Sequence, residues 1–198
     1  MKKGFQEKIV SVLNAQLALT HTDTLKVRYA LELLRNEGLK TLILLFVFSF
    51  AGFFKEFILC MAIACTVRVF AGGMHMKTNI GCFTLSFIFL YAEIILLPRL
   101  AAFPDSVYQV LLLISVLIIC GLSPLASYKR PFQGQKRYKL CKKNAILFSL
   151  LWCVCLLFFV PDTYLRNCGI WFFNLQAVQM VMTYFYRKVN EERRNSNV

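Results

Sequence analysis

The chain has 198 residues, of which 58% are hydrophobic, 15% aromatic and only 17% charged, with a formal net charge of +13. That composition excludes an ordinary soluble domain and points to a membrane protein of several spans. The basic residues fall between apolar runs instead of forming a continuous polar domain, so the excess charge suits anionic lipid headgroups and not nucleic acid.

In chain order, Phe5, Ile9, Leu13 and Leu17 recur at helical spacing and predict an amphipathic helix over 5–20. Asp23 or Thr24 is the expected cap of a second one, ending near residue 37. Both are expected on the membrane surface or beneath the spans. Six apolar stretches follow, at roughly 39–54, 57–70, 82–97, 107–122, 145–160 and 165–186. Several are shorter than the ~20 residues of a bilayer crossing, so local thinning and snorkelling of flanking Lys and Arg are implied. Lys55-Glu56 predicts a tight turn between the first two, because a charged pair at mid-bilayer is costly.

Six spans place twenty of the twenty-three basic residues on one side and leave Lys55, Arg99 and Arg166 on the other. Since Lys and Arg gather on the cytoplasmic face, both termini are expected inside. The expectation is therefore an all-α, polytopic protein of the cell membrane, a single integral domain over 1–198. It comprises surface helices over 1–38, six spans within 39–186, a cytoplasmic basic loop over 128–143 and a tail over 187–198. No secretory signal is recognised at the N-terminus, which is expected to be retained.

Of the eight cysteines, Cys60, Cys65, Cys120, Cys153 and Cys155 lie in apolar runs, where cysteine packs as a small hydrophobe. With no CxxC pair and two histidines, no metal site of the usual spacing and no cofactor are expected. One stretch stands apart: AGGMHMKTNIGC, residues 71–82, on the cytoplasmic side between the second and third spans. A straight helix would separate His75 and Cys82 by ~10 Å, too far for an imidazole to deprotonate a thiol. Gly72, Gly73 and Gly81 relax the backbone, and Thr78-Asn79 offers a turn or cap, so the chain can bend to bring them together. A helix N-terminus at Cys82 would favour a thiolate. Each residue alone reads as packing or interfacial; together they form a candidate nucleophile and base. His21 has no nearby cysteine and is expected to have no such role.

No HExxH, GxSxG or GxGD motif is present, so a protease here would be a cysteine one. Asn79 can orient His75 or donate to an oxyanion, as can backbone N–H groups after Gly81. Arg68 can pair with a substrate carboxylate or anchor at the interface. Glu93, the acidic residue deepest in a span, lies eleven residues from Cys82, ~16 Å along a helix, and is not expected to be a catalytic partner.

These residues resemble the accessory gene regulator B (AgrB) family of Gram-positive bacteria. The likeness lies in Arg68, Gly72-Gly73, His75 and Cys82, followed by SPLASYKRPF over 123–132, which is similar to that family's proline and lysine-proline segment. Pro124, Lys129, Arg130 and Pro131 carry the latter, with Arg130 where many relatives have lysine directly before the proline. Length, amphipathic N-terminus, six spans and basic loop match as well. The resemblance implies a membrane cysteine endopeptidase that trims the C-terminal tail of a small AgrD-like propeptide and closes it into a cyclic, usually thiolactone, autoinducing peptide for quorum sensing. It implies Cys82 as nucleophile and His75 as general base, and is compatible with a homodimer. It also implies an acidic propeptide segment, which Lys136, Arg137, Lys142 and Lys143 can attract. The competing expectation is a non-enzymatic transporter of a small peptide, which would show paired ionisable residues inside spans and often an internal repeat.

Overall fold

The structure, a computed structural model, describes residues 3–17, 20–73, 78–100, 103–125 and 134–195. Among the described residues the secondary structure is helical, apart from one isolated parallel bridge between Gly72 and Leu125. The chain divides into two compact units, Met1–Phe50 and Ala51–Val198.

The first unit is a pair of helices, α1 (Lys3–Leu17) and α2 (His21–Phe50). Thr24 Oγ1 donates to Asn14 Oδ1 at 2.9 Å and ties them together. The expected cap at Asp23 or Thr24 is instead Thr20, whose Oγ1 accepts the Asp23 N–H at 3.2 Å and donates to the Asp23 carboxylate at 2.7 Å. That hydrogen bond and Lys26 hold the Asp23 carboxyl below its ordinary pKa. The expected break near residue 37 is absent, and surface helix and first apolar stretch form one continuous helix. Nothing at 37–39 can stop it: Gly38 alone is tolerated within a helix, and Lys40 bonds back to Glu37 at 2.8 Å.

The second unit begins at a turn over 51–53, where Gly52 has φ +83°. Lys55-Glu56, expected to make this turn, lies instead in the first turn of the next helix. That helix, α3, runs over 54–71 with a π-helical turn at Ala64–Arg68. Next come α4 (Asn79–Leu100), with a π-helical turn at Ala92–Leu96, α5 (Asp105–Leu122), α6 (Gln135–Phe158) and α7 (Thr163–Asn195). By length and composition α4, α5 and α6 are long and apolar enough to cross a membrane. The described part of the expected 128–143 loop is mostly helix, and the expected tail is helical to Asn195.

Helix α7 packs against α3, α5 and α6. Its Gly169 makes this possible: a Cβ there would stand 2.6 Å from Leu156 Cδ2 of α6 and 3.5 Å from Ile63 Cδ1 of α3, the close approach that small residues allow between apolar helices. Cys60, Ile63, Leu112, Ile119, Leu156, Ile170 and Phe173 are buried around it. Polar links add specificity. Ser115 Oγ of α5 donates to Asn174 Oδ1 of α7 at 2.9 Å, and Trp152 Nε1 of α6 donates to Thr66 Oγ1 of α3 at 2.8 Å. Both π turns have local causes. Thr66 Oγ1 reaches back to the carbonyls of Ala62 and Ile63, and the Ile94 carbonyl receives Tyr164 Oη at 2.7 Å and Cys168 Sγ at 3.7 Å from α7.

Candidate active site

The connection from α3 to α4 is fixed at its entry. Gly72 N–H donates to the Arg68 carbonyl at 2.9 Å, and Gly72 turns away from the helix at φ +83°. Leu125 N–H, just after α5, donates to the Ala71 carbonyl at 2.9 Å, while Gln176 Nε2 of α7 donates to the Gly72 carbonyl at 2.8 Å. Gly72 has to lack a side chain here, because a Cβ would fall 2.1 Å from the Leu125 carbonyl oxygen. Pro124, buried, immediately precedes Leu125 in the chain. The glycine pair and the proline segment, fifty residues apart in sequence, therefore meet.

The exit is a helix start. Thr78 caps α4 with extended backbone geometry, and its side chain accepts the Gly81 N–H at 3.1 Å. Cys82 N–H donates to the Thr78 carbonyl at 3.0 Å, so Cys82 sits in the first turn of α4, half-buried and free. The expectation that N–H groups after Gly81 are open to an oxyanion is corrected: Gly81 and Cys82 already spend theirs on Thr78. The N–H groups of Asn79 and Ile80, at the first two positions of α4, have no intrahelical acceptor, and the Asn79 side chain is exposed beside them.

Arg68 closes the π turn of α3 and is half-buried, with Glu93 and Cys82 acting on it electrostatically. Glu93 is buried, 4% exposed, in the π turn of α4. His75, Lys129, Arg130 and Pro131 lie outside the described residues. Lys136, Arg137, Lys142 and Lys143 occupy the first turns of α6, and none of the four is in an ion pair among the described residues. Cys60 and Cys153 are buried as expected of packing cysteines, whereas Cys65 is exposed.

Gln176 and Gln179 of α7 are absent from the sequence-derived site, although both face the glycine pair. Their signal was available: buried carboxamides three residues apart in an apolar stretch are costly and seldom idle.

These features define a helical protein of membrane type, with a free thiol at the head of an apolar helix and a pinned glycine turn before it. The chain matches the Accessory gene regulator B family over residues 6–180, and it belongs to that family. It is 29% identical over 167 residues to a putative AgrB-like protein of Clostridium beijerinckii, covering 83% of this chain and 80% of the relative. To the accessory gene regulator protein B of Staphylococcus intermedius it is 28% identical, covering 81% and 84%. To that of Staphylococcus lugdunensis it is 27% identical, again covering 81% and 84%. No solved structure matches the chain.

Proposed function

We propose that this protein is a membrane cysteine endopeptidase that removes the C-terminal tail of a small AgrD-like propeptide and cyclises the remainder into a thiolactone or lactone autoinducing peptide for quorum sensing. The observation that carries the reading is Cys82, a free, half-buried thiol in the first turn of an apolar helix, at the end of the connection that contains His75. Family membership over most of the chain supports it.

In this mechanism His75 takes the Cys82 proton, and the sulfur attacks the scissile carbonyl. Asn79 and the N–H groups of Asn79 and Ile80 are the nearby donors for the oxyanion. Collapse breaks the C–N bond; His75 returns the proton to the leaving amine, and a thioester to Cys82 remains. A substrate thiol or hydroxyl then attacks that thioester, closing the ring and restoring Cys82. With a thiol, one thioester replaces another at nearly equal energy, whereas capture by water would lose the acyl activation. The site therefore has to exclude bulk water. Forming a thioester from an amide is uphill, so net cyclisation requires removal of the tail. Excess tail peptide in a reconstituted system is expected to suppress cyclisation, and an unchanged yield would contradict this energetic account.

The decisive experiment is mass spectrometry of a propeptide, ideally one encoded beside this gene, co-expressed with wild type, Cys82→Ser, Cys82→Ala and His75→Ala proteins inserted at equal levels. Trimming and cyclisation by wild type alone, with a covalent adduct on Cys82, is the expected result. Processing by Cys82→Ala would remove the peptidase reading and leave a peptide transporter to pursue.

A further inference from the structure

Gln179 is 2% exposed, and among the described residues neither its Oε1 nor its Nε2 has a hydrogen-bond partner. It is aimed at the glycine pair: a Cβ on Gly73 would stand 2.8 Å from Gln179 Oε1 and 3.5 Å from Gln176 Nε2. Gln176, one turn earlier on the same face of α7, already donates to the Gly72 carbonyl. Gln179 is thus a second carboxamide beside the same turn, with two donors and an acceptor uncommitted. Leaving such a group buried and unpaired works against folding, and an apolar side chain of the same size would fit α7 without that cost.

The group that best satisfies a lone carboxamide is the main chain of an extended peptide. In an extended strand the N–H and C=O of one residue point to the same side, as they do when two antiparallel residues exchange both hydrogen bonds. One carboxamide can receive both. The chain already uses main-chain pairing next door, where Leu125 N–H meets the Ala71 carbonyl beside Gly72. Gly73 has no side chain to obstruct an approach to Gln179.

We infer that Gln179 is a substrate-binding residue whose carboxamide holds the main-chain N–H and C=O of one residue of an extended propeptide against Gly73. This rests on the peptidase reading and adds to it a contact that ignores the side chains of the propeptide. Such a contact fixes where the chain lies without dictating its sequence.

The test uses the whole chain in lipid nanodiscs and an AgrD-like propeptide, ideally one encoded beside this gene. Wild type and Cys82→Ala proteins are first compared for cleavage, which tests the peptidase reading separately. Propeptide binding is then measured in the Cys82→Ala background with Gln179 intact or changed to Met, alongside thermal unfolding of each protein. Gln179→Met is expected to unfold at the same or a higher temperature and to bind propeptide on the order of tenfold more weakly. A set of propeptides, each N-methylated at one residue near the scissile bond, supplies the second readout. At one position the methyl group is expected to weaken binding to Gln179 but not to the Met variant. Binding unchanged within about twofold would overturn the inference. So would a lower unfolding temperature with no N-methyl position distinguishing the two proteins, because Gln179 would then serve the fold. If wild type fails to cleave, the peptidase reading falls; if cleavage depends on Cys82 while Gln179→Met binds normally, only the role of Gln179 falls.

Discussion

Gly72 shows how one missing atom shapes the site. An alanine there meets a φ of +83° and a carbonyl oxygen 2.1 Å from its Cβ, and that oxygen belongs to backbone that cannot swing aside. The strained conformation alone costs about 1–3 kcal/mol, and the overlap forces Leu125 off the Ala71 carbonyl as well. Gly52 has the same φ of +83° but open space around its Cβ position, so Gly52→Ala is charged only for the backbone, about 1 kcal/mol. Thermal unfolding in detergent is expected to rank Gly72→Ala well below Gly52→Ala, and propeptide cleavage to be lost only in the former. Equal unfolding temperatures would mean that the contact with Leu125 does not hold the turn. The need for glycine at 72 was legible in the sequence as a relaxed backbone. Its partner was not, because Leu125 acts through its main chain and leaves no mark in residue type.

At the scale of elements, apolar pattern located the helices, and polar contacts decided their shape. The boundaries of α5 follow from an apolar run between Pro104-Asp105 and Ser123-Pro124. The union of surface helix and first apolar stretch in α2 was not legible, since periodicity changes there without a breaker. Nor were the π turns, which depend on Thr66 and on donors from α7 that are distant in sequence. Removing the Thr66 hydroxyl as Thr66→Val leaves Trp152 Nε1 without its acceptor at 2.8 Å. The expected loss is about 1 kcal/mol, read as a lower midpoint in steric trapping or reversible denaturant unfolding. Little or no effect would show that α3 and α6 are held by packing such as the Phe70–Phe148 stack at 5.6 Å. In α6 the basic residues lie on a helix start and not a loop, so Lys136 and Arg137 add to the positive end of the helix dipole. Changing Lys136, Arg137, Lys142 and Lys143 to Gln is expected to weaken binding of an acidic propeptide severalfold at low salt and to flatten its salt dependence. Unchanged binding in a correctly inserted variant would assign these charges to topology and lipid alone.

For the whole molecule, charge and length bear differently on how many times the chain crosses the bilayer. Helices α4, α5 and α6 have the length and composition to span. The lipid-compatible half of α2, from Leu39 to Phe50, rises only ~18 Å against a hydrocarbon core of ~30 Å. Helix α3 carries Lys55, Glu56 and Arg68 at its two ends, which suits a crossing with charged residues near each interface. If α2 and α3 both cross, the turn at Gly52 lies outside, and the basic residues divide twenty to three. If they form a hairpin dipping in from the cytoplasm, Lys55-Glu56 lies at its tip within the bilayer, which is costly. The remaining basic residues then divide twenty to two, so charge bias alone scarcely separates the arrangements. Reporter fusions do. A phosphatase that folds only outside the cytoplasm, inserted after Phe53, is expected to be active, as is one after Phe103; one after Gly134 is expected to be inactive. Activity after Phe103 but not after Phe53 would make α2 and α3 a re-entrant pair. The termini would still share one side with the start of α4, and the membrane would thin for neither helix.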